Sequence, residues 1–113
     1  MKKVTYTSGQ TIFKAGDAAD GLYIVGSGQI GVFFPSNSTH NEPDIILEKT
    51  QILGEMGVID TASRMATARA IEDCTLVFVS RSEFDKKLED TDPVVRGVLA
   101  ILSSRLRDVQ RRR

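Results

Sequence analysis

The chain has 113 residues, a length typical of one domain with a single hydrophobic core. Its 15 basic and 15 acidic side chains cancel, so the net charge indicates neither nucleic acid nor an anionic membrane as a partner. The single cysteine, Cys74, excludes an internal disulfide, and its apolar surroundings predict a buried free thiol. No apolar run is long enough to span a membrane and no signal-peptide core is present, so we expect a cytoplasmic protein.

The first third of the chain predicts short strands joined by tight turns. Apolar runs at residues 12–13, 22–25 and 30–34 alternate with glycine-containing segments at residues 16–17, 20–21 and 26–28. Glycine suits such turns because it adopts positive φ at little cost. This rhythm is typical of a β-sandwich or β-barrel.

A polar connection at residues 35–44 contains His40, the only histidine. One histidine in a loop cannot build a metal site, so we expect no metal and disfavour a small metalloenzyme barrel. Further strands are predicted at residues 45–47, 67–71 and 75–79, with residues 72–73 forming the turn between the last two.

The segment LGEMGVIDTASRMATA, residues 53–68, carries the residues that suggest chemistry. Gly54 permits close approach of backbone or ligand, and a helical turn beginning near Met56 would point free N–H groups at an anion. Arg64 adds a planar fork that can hold two phosphate oxygens. Glu55 repels phosphate, but it can accept a hydrogen bond from a sugar hydroxyl while Arg64 balances its charge. The segment therefore predicts a site for a ligand with both an anion and a hydroxyl.

Two helices are predicted at the end of the chain. We expect Ser82 to cap a helix over residues 83–89, with Asp85 completing a capping box. Asp92 and Pro93 are residue types that favour the N-cap and the first position of a second helix, which can run to the end.

The second helix carries its apolar residues on one face. A seam repeats at steps of four and three, as in a coiled coil, and consists of Val95, Leu99, Leu102, Leu106 and Val109. A neighbouring row consists of Val94, Val98 and Ile101. We expect the first half of this helix to pack against the barrel. We expect its second half to pair with the same helix of a second chain, which gives a homodimer.

These motifs resemble the cyclic nucleotide-binding domain family. The pattern of the family's first strands is matched by Gly9, Ile12, Phe13, Gly16, Asp17, Asp20, Leu22, Tyr23, Ile24, Gly28 and Ile30. Its phosphate-binding cassette is matched without insertion by Gly54, Glu55, Met56, Gly57, Arg64, Ala66 and Thr67. The resemblance implies a single domain over residues 1–113. It would consist of a jelly-roll barrel, or double-stranded β-helix, at about 4–80, followed by a short and a longer helix at about 82–113.

The resemblance also implies a regulatory module that binds a cyclic nucleotide and is not an enzyme. The implied ligand-binding residues are Gly54, Glu55, Met56, Gly57, Arg64, Met65, Ala66 and Thr67. Leu53 and Ser63 depart from the family's phenylalanine and proline without removing a ligand-contacting group. Met65 stands where relatives that prefer cGMP tend to carry threonine, so the resemblance implies cAMP over cGMP, or a mainly apolar base pocket.

In this family the C-terminal helix moves when the ligand binds, and its polar side chains reach the base. The comparable stretch here is near Val109 and Gln110, and Gln110 is the candidate reader of the base. No helix-turn-helix follows the barrel in these residues, which disfavours direct DNA binding. The arginines at positions 105, 107 and 111–113 predict a solvated basic tail at the negative end of the helix dipole.

Two other interpretations stay open. A scaffold that no longer binds a ligand would keep Gly54 as a turn glycine and Glu55 with Arg64 as a structural ion pair. It would serve as a dimerisation or protein-interaction module. An enzyme that hydrolyses a cyclic phosphate would need an activated water, and the sequence offers neither a histidine cluster nor a carboxylate cluster for that purpose.

Overall fold

The computed structural model describes residues 1–37, 41–55 and 63–111, except for the side chains at positions 103, 110 and 111. The strands in these residues are β1 (Lys2–Tyr6), β2 (Thr11–Phe13), β3 (Gly21–Ser27), β4 (Ile30–Phe33), β5 (Ile45–Leu47), β6 (Ile52–Leu53), β7 (Thr67–Ala70) and β8 (Cys74–Ser80). The helices are α1 (Arg81–Glu89) and α2 (Pro93–Arg111). The predictions for His40, Met56, Gly57 and the side chain of Gln110 lie outside the described residues.

The strands form two four-stranded antiparallel sheets. One sheet has the order β1-β8-β3-β6 and the other has the order β2-β7-β4-β5. The predicted jelly-roll fold with C-terminal helices is confirmed. Strand β1 was not predicted, because only Val4 and Tyr6 are apolar in a segment that otherwise holds lysine and threonine. These two side chains are half-buried where β1 pairs with β8.

Alternate strand positions supply the hydrophobic core. Its buried members are Tyr23, Val25, Ile30, Leu53, Ala68, Ala70, Cys74 and Leu76. Ile30 and Leu76 are fully buried. Cys74 is a buried free thiol, as predicted, and burial raises its pKa. Gly28, between β3 and β4, has a φ of +83°, and a Cβ there would collide with the carbonyl of Asp73. The glycine-turn pattern therefore has the expected cause.

Helix α1 begins two residues earlier than predicted. Its N-cap is Ser80 and not Ser82: the Ser80 hydroxyl accepts a hydrogen bond from the Glu83 N–H at 3.2 Å. The Glu83 carboxylate accepts one from the Ser80 N–H at 3.1 Å, which completes a capping box. The prediction based on Ser82 and Asp85 is wrong because β8 continues to Ser80 and the chain enters the helix directly. The N-terminal ammonium of Met1 and then the groups of Ser80 lower the pKa of Glu83 to about 2.

Helix α2 begins as predicted. Asp92 accepts a hydrogen bond from the Val94 N–H at 2.8 Å, and Pro93 is the first helical residue. The predicted packing of its first half against the barrel is wrong, because Val94 is 73% exposed and Val98 is 49% exposed. Helix α1 covers the neighbouring barrel surface instead, where Phe84 packs against the cluster that contains Leu22 and Val79. The described part of the chain contains no helix with the length and apolar character needed to cross a membrane.

Candidate functional site

A cavity of about 150 Å³ brings the cassette, the barrel and helix α2 together. Its lining residues are Phe13, Val32, Phe34, Ile45, Leu47, Ile52, Leu53, Gly54, Glu55, Arg64, Met65, Ala66 and Arg107. These residues form a largely apolar wall with one carboxylate and two guanidinium groups. The described residues place no group of three or more His, Cys, Asp or Glu side chains where they could hold a metal ion.

Arg64 is the most strongly constrained polar residue of the cavity, with 4% of its surface exposed. Its Nη1 donates to the Gly54 carbonyl at 2.8 Å, and its Nη2 donates to the Gly21 carbonyl at 2.6 Å. Nη2 also lies 3.2 Å from Asp20 Oδ1, and the guanidinium lies 4.2 Å from the centre of the Phe13 ring. The Nε–H has no hydrogen-bond partner among the described residues. A buried donor left without an acceptor would cost about 1–3 kcal/mol, so this N–H is a candidate donor to a bound ligand.

The charge of Arg64 is compensated by Asp20 and not by Glu55. Burial lowers the pKa of Arg64, and the carboxylate of Asp20 opposes that effect. The expectation that Arg64 balances the charge of Glu55 is wrong for the described part of the chain, where no ion pair joins these two residues. The reason is geometric: Nη2 faces the segment just before β3, which carries Asp20, and Nη1 faces Gly54.

Gly54 makes the position of Arg64 possible. It follows β6 and has a φ of +82°, which an L side chain rarely adopts. A Cβ at this position would also collide with Nη1 of Arg64. Glycine is therefore required both for the backbone conformation and for the close approach that the sequence predicted.

The other predicted site residues that the structure describes lie at or beside the cavity. Glu55 and Met65 are half-buried in its wall, and Ala66 is buried there. Thr67 follows at the start of β7, where its hydroxyl accepts a hydrogen bond from the Ala15 N–H at 3.1 Å.

Sequence reasoning missed the roles of Asp20 and Arg107. Asp20 matched the family pattern only as a fold position, and its pairing with Arg64 joins residues 44 positions apart, which no local spacing reveals. Arg107 was expected in a solvated tail, which is wrong: it is 6% exposed, and its Nη1 donates to the Ser63 carbonyl at 3.1 Å. The apolar repeat of α2 did not indicate that the side chain of Arg107 would face the barrel.

The fold is that of a cyclic nucleotide-binding domain. Residues 3–91 match the model of the family described as "Cyclic nucleotide-binding domain", and the chain belongs to this family.

Relatives carry this kind of domain within longer proteins. The cyclic AMP receptor protein of Thermus thermophilus is 30% identical over 103 residues, which cover 91% of this chain and 48% of the relative. The cAMP-bound structure of the EAL enzyme Bd1971 is similar over 96% of this chain and 29% of that chain, with 32% identity and a TM-score of 0.84. Its cGMP-bound structure has the same identity and TM-score, over 97% of this chain and 29% of that chain.

A third relative is an enzyme by name. The lysophospholipase nte1 of Aspergillus fumigatus is 29% identical over 114 residues, which cover 99% of this chain but 7% of the relative. The chain thus spans about half the length of the Thermus relative and a small part of this one. The shared region is the same kind of domain in a different context.

Proposed function

We propose that this chain is a regulatory module, not an enzyme, that binds a cyclic nucleotide and prefers cAMP. The observation that carries the proposal is the state of Arg64. Its guanidinium is buried, held by Gly21, Gly54 and Asp20, and has an Nε–H without a partner among the described residues. A phosphate oxygen is a charged acceptor of the kind that such a donor binds most strongly.

The other proposed contacts divide between phosphate, sugar and base. Glu55, as a half-buried carboxylate in the cavity wall, accepts a hydrogen bond from the ribose 2′-hydroxyl. The apolar wall and Met65 contact the base. The full set of proposed ligand-binding residues is Gly54, Glu55, Met56, Gly57, Arg64, Met65, Ala66 and Thr67.

The preference for cAMP rests on Met65. Its side chain lines the cavity and has no hydroxyl group with which to hydrogen-bond guanine. The related EAL enzyme has structures with either nucleotide, which supports the ligand class and leaves the preference to be measured.

Isothermal titration with cAMP and cGMP tests the proposal. Arg64→Ala is expected to weaken cAMP binding by about 1.5–3 kcal/mol, roughly ten- to a hundredfold, because a charge-assisted contact is lost. Arg105→Ala is the matched control, since it removes an exposed arginine from α2. Absence of heat with both nucleotides, from folded wild-type protein shown to be free of bound ligand, would contradict the proposal.

A second experiment leaves Arg64 unchanged, because replacing this buried side chain can affect folding. Glu55→Gln is combined with 2′-deoxy-cAMP, which lacks the proposed hydroxyl partner. If Glu55 binds that hydroxyl, the variant weakens cAMP binding but adds little to the weakening already caused by the deoxy ligand. If the losses of affinity caused by Glu55→Gln and by the missing 2′-hydroxyl add fully, Glu55 does not bind that hydroxyl.

We further propose that α2 forms a homodimer with the same helix of a second chain. Its apolar side chains are 36–73% exposed: Val94, Val95, Val98, Leu99, Ile101, Leu102, Leu106 and Val109. A continuous apolar face of this kind is typical of an interaction surface, and the steps of four and three fit a partner helix.

Sedimentation analysis tests the dimer. Leu102→Glu places a charge in the seam and is expected to give monomers. Ser104→Glu adds the same charge at an exposed position on the far side of the seam and is expected to leave dimers. A dimer that persists in Arg64→Ala, from a wild type that binds no nucleotide, would support the alternative of a non-binding interaction module.

A further inference from the structure

Strand β2 turns two consecutive apolar side chains toward the core, which a regular strand does not do. Its pairing with β7 shifts register, since Thr11 lies opposite Arg69 and Phe13 lies opposite Ala68. Two steps along β2 therefore match one step along β7, which is the pattern of a β-bulge. Side chains of a regular strand alternate between the two faces, but Ile12 and Phe13 both pack against the core. The bulge thus changes the direction of Phe13.

The ring of Phe13 meets the guanidinium of Arg64. Phe13 lines the cavity, and the centre of its ring lies 4.2 Å from the guanidinium carbon of Arg64. A cation at this distance over an aromatic face is attracted by the ring. The carbonyls of Gly54 and Gly21 accept hydrogen bonds from Nη1 and Nη2, at the edge of the guanidinium. The ring instead supports the face of the group.

A second layer of aromatic side chains lies behind Phe13. The ring centre of Phe13 lies 6.2 Å from that of Tyr23, which in turn lies 5.0 Å from that of Phe78. Tilted ring pairs at such distances attract one another. Tyr23 is a buried member of the core cluster, and Phe78 packs against that cluster. The ring beneath Arg64 is therefore fixed by the core of the barrel.

The chain contains a second ring and guanidinium pair, which has a different place in the fold. The guanidinium carbon of Arg69 lies 4.4 Å from the ring centre of Phe33, which is not one of the cavity-lining residues. A pair of this kind is thus not a sign of function by itself. Phe13 differs because it lines the cavity and because Arg64 has an Nε–H without a partner in the described part of the chain.

We infer that Phe13 is a positioning residue, a role that rests on the proposed function: its ring holds the plane of the Arg64 guanidinium before the nucleotide binds. Arginine has several rotatable bonds, and immobilising such a side chain on binding lowers affinity about two- to tenfold. A ring that fixes the guanidinium in the free protein removes this cost from the binding step. The phosphate then meets a donor that is already in place.

Isothermal titration with cAMP tests this role. Phe13→Leu keeps an apolar side chain in the cavity wall but removes the ring, and it is expected to weaken cAMP binding about two- to tenfold. Phe13→Tyr keeps the aromatic face and is expected to bind cAMP as wild-type protein does. Phe33→Leu is the matched control: it removes the ring beneath Arg69, away from the cavity, and is expected to leave the affinity unchanged.

A double-mutant cycle separates positioning of Arg64 from direct contact with the ligand. Arg64→Ala has no guanidinium to position, so adding Phe13→Leu to it is expected to cause no further loss of affinity. An equal loss from Phe13→Leu with and without Arg64 would overturn the inference, because the ring would then act on the ligand itself. Wild-type affinity in Phe13→Leu, or the same loss in Phe13→Tyr as in Phe13→Leu, would also overturn it.

A measurement on wild-type protein decides the matter even if Phe13→Leu does not fold. The Nε–H resonance of Arg64 is assigned by its absence from the NMR spectrum of Arg64→Ala. Because the guanidinium lies over the ring of Phe13, the ring current should move this resonance upfield of that of an exposed arginine such as Arg105. An unshifted resonance in protein that binds cAMP would overturn the role of Phe13 and leave the proposed function standing. Failure of wild-type protein to bind cAMP or cGMP would overturn both.

Discussion

The barrel and helix α2 bury opposite kinds of side chain. In the barrel, Ile30 and Leu76 are fully buried, whereas on α2 Val94 is 73% exposed and Arg107 is buried. Apolar packing therefore stabilises the barrel, while α2 contributes a guanidinium to it. An element with few buried apolar contacts needs little free energy to move. We propose that ligand binding shifts α2, for which a difference in ligand affinity of about 1–3 kcal/mol between two positions of the helix would be sufficient.

The largest expected effect comes from the barrel core. Leu76→Ala should lower the free energy of unfolding by about 2–5 kcal/mol, because it leaves a cavity in a fully packed region. Leu102→Ala, on α2 and 49% exposed, should change it by about 0.5 kcal/mol or less in the monomer. Urea denaturation followed by circular dichroism gives both values.

If Leu102→Ala lowered the free energy of unfolding as much as Leu76→Ala does, the difference between α2 and the barrel would be contradicted. If that loss grew with protein concentration, it would show that the face of α2 is buried in an assembly. Repeating the denaturation over a series of protein concentrations separates the two explanations.

Two glycine-to-alanine substitutions should change the free energy of unfolding in opposite directions, one in the barrel and one in α2. Gly54→Ala is expected to destabilise by at least about 1–2 kcal/mol, the cost of a left-handed conformation, because its Cβ also collides with Arg64. Gly97→Ala lies in α2 with no atom within 4 Å of the added Cβ, so it should stabilise by roughly 0.5–1 kcal/mol. Thermal unfolding of both variants and of wild-type protein measures the two changes in stability. Stabilisation by Gly54→Ala would show that the close approach to Arg64 is unnecessary.

The difference between the regions also separates what the sequence predicts from what it does not. The glycine turns and the Asp92 cap are local signals, and the structure agrees with them. The cassette is also a local signal: its described residues Gly54, Glu55, Arg64, Met65 and Ala66 line the cavity, and their contacts with a ligand stay a prediction. The pairing of Asp20 with Arg64 is tertiary, and the inward turn of Arg107 runs against the apolar repeat. Apolar periodicity placed the apolar side chains of α2 on one face, but it could not show that this face points away from the barrel.

Asp20→Asn should lower the free energy of unfolding by an intermediate amount. It removes the charge that compensates the buried guanidinium of Arg64, and we expect a loss of roughly 1 kcal/mol, because Asp20 itself is largely exposed and screened. A cyclic phosphate would supply the missing negative charge. The thermal stabilisation produced by cAMP should therefore be larger in Asp20→Asn than in wild-type protein. A smaller stabilisation would mean that Asp20 mainly orients Arg64 for the ligand.

The smallest expected effect is a pH dependence at the start of α1, where the Glu83 carboxylate takes part in the capping box. The N-terminal ammonium of Met1 and the Ser80 groups hold the pKa of Glu83 at about 2, against an ordinary value of 4.5. Because the folded-state pKa is the lower one, the ionised carboxylate stabilises the folded protein above about pH 4.5, and this contribution is lost as the pH falls toward about 2. Glu83→Gln keeps a side-chain acceptor for the capping box but no charge. The difference in Tm between wild type and variant should therefore shrink over that range, whereas Glu89→Gln at the other end of α1 should show no comparable trend. A constant Tm difference would mean that the charge of Glu83 contributes nothing to stability.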